Sequence, residues 1–395
     1  MRSPFIPLLL LGGCCFSSTS EGTSGSTSTT GGTYPVDGGC VGWSLSGEAG
    51  YPVAAGMNGS DLAAGDLTGS GSMDLVVAPV VSVLLNNGDG VFDAGQNAPP
   101  GVPGGGVSAI AVMPNDAGRG ADLAYATLGA VGFLINQGDG LFSAPPAFAT
   151  AQPVINVLLP FALHGGPALD LVGLAGTQNE ILIFGGLDGG VFGGGALATI
   201  STQARPTGLA SADFNGDGLP DLVVIYEPPG PNAADLFLNL GDGGFAPAQT
   251  YTISDETGAV AVGDFNGDGL VDIAISTVPM NGGGGNTIDF LMNQGGGTFA
   301  IGQQYNLGYF AASGLAVGDL NGDGALDLAF TNGGTLWVAL NDGGGTFLPP
   351  RAFPAGTDPR SVVVADFNSD GLSDVAIVDD TTNNVGVFLS ACLHR

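Results

Sequence analysis

The chain has 395 residues, 36 of them Asp or Glu and only six basic, every one an Arg, for a formal charge of −30 at pH 7. Phosphate recognition needs clusters of Lys and Arg, so this composition excludes a nucleic-acid partner and makes divalent cations the natural counter-ions. Only 11% of residues are charged and 72 are Gly, so the chemistry is concentrated at few places and the chain turns often.

The N-terminus reads MRSPFIPLLLLGGCCFSSTS. Its apolar stretch ends at Leu11, short of the roughly 20 residues a bilayer span requires, and is expected to be a signal peptide. Leu11-Gly12-Gly13-Cys14 resembles a bacterial lipobox, which implies cleavage after residue 13 and lipidation of Cys14; an ordinary secretory signal followed by two chance cysteines is the alternative. Several acyl chains on one cysteine would anchor firmly where a single chain would not. Residues 14–39 are mostly Ser, Thr and Gly with little to bury, which predicts a flexible tether. The folded part is expected over 40–395.

From there a nine-residue loop recurs. DFNGDGLPD at 213–221, DFNGDGLVD at 264–272, DLNGDGALD at 319–327 and DFNSDGLSD at 366–374 each lie between short apolar runs. The ninth residue anchors weaker copies as well: Asp74, Asp122, Asp170, Asp221, Asp272, Asp327 and Asp374 stand 48, 48, 51, 51, 55 and 47 residues apart. Seven units of about fifty residues follow. Within each, runs of four to seven residues rich in Val, Leu, Ile and Phe are bounded by Gly, Asn and Asp, the pattern of strands. A second turn repeats almost unchanged as LNNGDGVF, INQGDGLF, LNLGDGGF, MNQGGGTF and LNDGGGTF. Its Gly, Asn and Asp residues supply the positive φ angles of hairpin turns.

Four strands in each of seven units predict an all-β fold, a seven-bladed β-propeller of four-stranded antiparallel blades. A β-solenoid is the rival, with shorter and more regular repeats than these. The small residues of AAGD, AVGD and VVAD before the loops suit the crowded innermost strand. The last unit stops after its third strand, and the segment CVGWSLSGEAGYPVAAG at 40–56 precedes the first loop without a first half of its own. It is expected to complete the seventh blade, with Trp43 matching the Phe that opens the other fourth strands. In that alignment Cys40 and Cys392 fall at neighbouring positions, and secretion would permit a disulfide between them.

The loop chemistry suits calcium, which takes six to eight oxygen ligands mixed from carboxylates and carbonyls. In 213–221 the odd positions can turn inward together: Asp213, Asn215 and Asp217 by side chain, Leu219 by its carbonyl and Asp221 by carboxylate. A polar turn with capping aspartates is the simpler alternative, but three carboxylates in one loop repel each other without a cation. An EF-hand is excluded, because it needs an oxygen ligand at the twelfth position and flanking helices, whereas Val224, Ile275, Phe330 and Ile377 stand there.

These repeated DxNxDGxxD loops and their strand context resemble FG-GAP or VCBS repeats, related to the propeller of integrin α subunits, over about residues 40 to 392. The resemblance implies that each loop joins the first two strands of a blade and binds calcium. It carries the ligand set onto Asp264, Asn266, Asp268, Leu270 and Asp272; Asp319, Asn321, Asp323, Ala325 and Asp327; and Asp366, Asn368, Asp370, Leu372 and Asp374, beside the set already read. The loop DLTGSGSMD keeps Asp66 and Asp74 with Thr68 and Ser70 between them, a weak fifth site. Pro114 and Ala162 take the first position in the second and third units, whose loops are expected to hold no ion.

Catalysis is not expected: His164 and His394 are the only histidines, and no nucleophile with a base pattern is present. A calcium-stabilised binding or adhesion scaffold on a bacterial cell envelope is the leading functional expectation, monomeric, meeting the membrane only through its lipid anchor and a protein or glycan through loops such as 227–235 and 277–289. A calcium-dependent lectin is the second.

Overall fold

A computed structural model describes residues 42–393, apart from 54–60, 94–95, 98–105, 115–118, 139, 145–146, 151–153, 166–168, 188–190, 193–195, 227–231, 279–285 and 309–311. The expected signal peptide, Cys14, the tether and Cys40 lie outside the described residues. Seven antiparallel sheets form seven blades, and the 3₁₀ turn Gly176–Gln178 is the one helical element described. No helix among the described residues is long and apolar enough to cross a membrane.

Blade 4 shows the plan. Pro206–Ala212, Asp221–Tyr226, Ala233–Phe237 and Gln249–Thr252 pair in sequence order, from the ring axis outward. The second strand is buried along its whole length, as expected of a strand covered on both faces by neighbouring blades, whereas the fourth alternates half-buried and exposed residues at the rim. The first strand of each blade lies against that of the next all round the ring, and Pro359–Ala365 of blade 7 returns to Leu62–Gly65 of blade 1. Glycine is required where these inner strands crowd. A Cβ on Gly318 would lie 2.4 Å from Val364, and one on Gly65 2.5 Å from Val112, each in the following blade.

The N-terminal segment closes the ring. Ala49–Pro52 pairs with Asn384–Phe388 as the outer strand of blade 7, behind Asp374–Asp379 and Pro359–Ala365. Gly42–Leu45 pairs with Ser390–Leu393 in a two-stranded ribbon. The register corrects one expectation. In five other blades a turn Asn faces the Phe six residues on, as in Asn341 with Phe347, and in blade 3 Gly186 faces Phe192; in blade 7 Ser390 faces Leu45, while Trp43 faces Cys392. Leu45 therefore takes the Phe position, because pairing is fixed by the hydrogen-bond register and not by the nearest aromatic residue. Trp43 instead packs onto blade 6, edge-on to Phe353 at 6.1 Å, with the Arg351 guanidinium 5.6 Å from its ring centre and bonded to its carbonyl at 3.3 Å.

Cys392 is disulfide-bonded. Cys392 lies on the last described strand, Ser390–Leu393, where a crosslink stabilises by restricting the unfolded chain. Replacing Cys392 with Ser is expected to lower stability by about 2–4 kcal/mol, read as a lower urea midpoint by circular dichroism.

Candidate metal centres

The strands of each blade alternate in direction, so the first-to-second loops and the third-to-fourth turns emerge at the same end of the ring. In blade 4 the loop 213–221 curls around its first residue. Asp213 Oδ1 accepts from Gly216 and Asp217 at 2.7 and 3.2 Å, and Oδ2 accepts from Gly218 at 2.8 Å. Asn215 donates to Asp217 at 2.9 Å, and Asp217 accepts the Leu219 amide at 2.8 Å. Gly216 and Gly218 have φ of 80° and 86°, angles that cost a residue without a Cβ little. The same bonds recur within a few tenths of an ångström in 264–272 and 319–327. In 366–374 the curl survives with Ser369 at φ 59°, a non-glycine residue held in the left-handed region.

Asp213, Asn215, Asp217 and Leu219, and their counterparts through Leu270, Ala325 and Leu372, thus stand on one tight turn in each of blades 4 to 7. The donor set is oxygen throughout, the chemistry a hard divalent cation takes, and the carboxylates lie close enough to act on one another. Burial pushes Asp221 and Asp272 up to about 6, and the charges of Asp217 with Asp213, and of Asp268 with Asp264, add to the shift. Asp327 is raised well above its ordinary range by burial, with Asp323 and Asp319 adding to it. Asp374 rises to about 8, chiefly through burial, while the Ser390 and Phe367 amides pull against the Asp370 and Asp366 charges. The donor set suits a calcium ion in its chemistry. As the loops stand, though, no three acidic, His or Cys side chains converge on one point among the described residues.

The ninth position has a second task that the repeat alone did not reveal. Asp221 is fully buried and accepts from two backbone amides, Phe214 at 3.0 Å in its own loop and Asn239 at 2.7 Å in the second turn. It staples the two turns of its blade together. Asp74, Asp272, Asp327 and Asp374 do the same. So does Asp170 in blade 3, accepting from Leu163 and Gly186, although Ala162 leaves that loop without a first ligand. Asp122 in blade 2 accepts from Asn136 at 2.7 Å. The weak loop of blade 1 makes the same curl, with the Thr68 and Ser70 hydroxyls bonded to each other at 2.8 Å and Asp66 accepting three loop amides. Loop shape is therefore encoded by the first and ninth aspartates with the glycines, and what separates blades 4 to 7 is the added negative charge at the fifth position.

Another set of residues that the sequence presented only as turn formers is the turn Asn. Asn293 donates from Nδ2 to Phe214 O of blade 4 and to Val271 O of its own loop, both at 2.9 Å. Asn86, Asn136, Asn239 and Asn341 make the equivalent pair of bonds. The signal was their recurrence at one place in the turn, but their partners lie in a neighbouring repeat and could not be read locally. At the opposite end, the described parts of 227–235 and 277–289 include buried groups: Asp235 accepts from Tyr226, Gln203 and Thr250, and Asp289 from Ser254, Thr287 and Gln304.

The model of the FG-GAP-like repeat matches residues 213–275 and 319–377, which run from the loop of blade 4 into the second strand of blade 5 and from the loop of blade 6 into that of blade 7. With the ring described above, the chain is an FG-GAP-repeat β-propeller. A solved Agrocybe aegerita lectin that recognises non-reducing terminal N-acetylglucosamine is similar over 84% of this chain and 85% of its own, at 22% identity and TM-score 0.55. The structure of BBS1N in complex with ARL6DN is similar over 87% and 96%, at 12% identity and TM-score 0.59. A Desulfotomaculum acetoxidans protein of unknown function is similar over 77% and 91%, at 12% identity and TM-score 0.52. At these identities the likeness concerns the fold. Among curated proteins none matches the chain.

Two outcomes are expected of the calcium-free protein. Asp170→Ala leaves two buried amides without partners in a loop that lacks the other ligands, and should cost about 1–3 kcal/mol in chemical denaturation, unaltered by calcium. The raised carboxyls bind protons more tightly folded than unfolded, so their contribution to stability is fully present below the unfolded value of 3.8 and is lost as pH rises through about 8, the folded value of Asp374. Thermal melts in chelator across that range check the sign.

Proposed function

We propose that the protein is a calcium-stabilised, non-catalytic binding scaffold, tethered by an N-terminal lipid to a bacterial cell envelope. The observation that supports it best is the clustering of three-carboxylate loops in four consecutive blades at one end of a propeller whose net charge is −30. Repulsion among those carboxylates is relieved by a divalent ion, and each ion held only by the folded state adds stability by mass action. Asp, Asn and the seventh-position carbonyl would hold it, with the ninth Asp already fixed by its two amides. When bound, the ion supplies charge neutralisation and rigidity to the loop.

The tether reading rests on the N-terminal sequence, with Cys14 as the acylated residue, and metabolic labelling with a fatty-acid probe tests it: label lost in Cys14→Ser supports the anchor. Binding through loops is supported by the propeller frame, which fixes many loops on a rigid ring. A carbohydrate-binding reading has one supporting observation of its own, the lectin among the similar folds.

Calcium is expected to bind with a stoichiometry near four and to raise the melting temperature, with chelator reversing both. Filling each site to ten times its Kd contributes about 1.4 kcal/mol. A melting temperature indifferent to chelator, with no calcium found by elemental analysis of native material, would remove the calcium reading. A glycan array that gives calcium-dependent signal favours the lectin; one protein dominating a pull-down favours the scaffold.

A further inference from the structure

We infer that the turn asparagines Asn293 and Asn341 are positioning residues that couple the cation loops of blades 4, 5 and 6. The inference rests on the calcium reading of the loops and assigns it a pattern of cooperation.

The Asn293 carboxamide has two N–H bonds in one rigid plane. One goes to Phe214 O, between the ligand positions Asp213 and Asn215 of loop 4; the other goes to Val271 O, between Leu270 and Asp272 of loop 5. Its own amide donates to Asp272, and Oδ1 accepts from Gly295. Gly297 adds a bond to the same Phe214 carbonyl at 3.2 Å. Asn341 repeats this between loops 5 and 6, with Phe265 O at 2.8 Å and Leu326 O at 3.1 Å. Both asparagines are 2% exposed, so water does not compete for these bonds. An ion that orders loop 4 fixes the Phe214 carbonyl, hence the Asn293 plane, hence the Val271 peptide of loop 5. The second loop then has less freedom left to lose, which is positive coupling.

Blade 7 breaks the series. Ser390 keeps the backbone bond to Asp374 at 2.7 Å, so the blade's own staple is intact. Its hydroxyl, however, is buried and has no hydrogen-bond partner. Loops 6 and 7 are joined there by the main chain instead, the Ser373 amide donating to Asp319 O at 2.9 Å, and the loops coupled through a side chain are 4, 5 and 6.

Amide hydrogen exchange by mass spectrometry, on the folded full chain over a titration with calcium alone, resolves each loop's midpoint. Asp217→Asn in loop 4 is expected to raise the midpoint of loop 5 (264–272) by about five-fold or more. Asp323→Asn in loop 6 should shift loop 5 similarly. Asn293→Ser should remove the effect of Asp217→Asn on loop 5 while keeping that of Asp323→Asn, a selectivity that a purely structural role would not produce. A loop 5 midpoint untouched by Asp217→Asn, or one that still follows Asp217→Asn in the Asn293→Ser background, overturns the coupling while leaving the calcium sites standing. Loops that calcium never protects overturn the calcium reading and the coupling with it. If Asn293→Ser does not fold, Asn341→Ser decides, by whether it removes the effect of Asp323→Asn on loop 5.

Discussion

A carboxylate at the first residue of every second strand, buried in six of the seven blades, is the constraint from which the rest of the ring takes its shape. Such a group is costly to bury unless its oxygens are satisfied, and here backbone amides satisfy it, in six blades from both turns of the blade at once. The turns cannot drift apart without abandoning a charged group in the interior. That fixes the end of the ring on which the first-to-second loops stand. It also explains why blades 2 and 3 keep Asp122 and Asp170 although their loops have lost the other ligand positions.

The same arrangement carries a tension. Burial disfavours the charged form of the staple, and in blades 4 to 7 the loop aspartates disfavour it further. The proposed calcium ion resolves the conflict without disturbing the amide bonds, since each carboxylate oxygen has a second lone pair. Blade 1 carries less of it, since Thr68 and Ser70 stand where the other loops have Asn and Asp and only the Asp66 charge adds to the burial of Asp74.

Between blades the joints are of two kinds. Apolar side chains of adjacent sheets interlock, as where Trp43, Phe388 and Leu336 share one cluster across blades 7 and 6. At the loop end, a turn Asn reaches into the preceding blade at five described joints. Where blade 7 lacks that residue, the Trp43 ring under Arg351 and the ribbon ending at the disulfide-bonded Cys392 hold the joint by other means. The ring is therefore closed where its two chain ends meet by contacts unlike those used elsewhere.

The sequence by itself determined the repeat, the strands and the all-β ring, because a spacing near fifty, period-two runs and glycine turns are local properties. It also determined which loops carry three carboxylates and that 40–56 had to complete the last blade. Tertiary structure alone decided the register of that closing strand, where Leu45 and not Trp43 takes the Phe place, since backbone pairing is settled across 340 residues of chain and not by residue type. It alone decided that the ninth Asp is a staple and the turn Asn a bridge between blades, because their partners are main-chain groups of other turns, and a main-chain amide leaves no mark in the sequence.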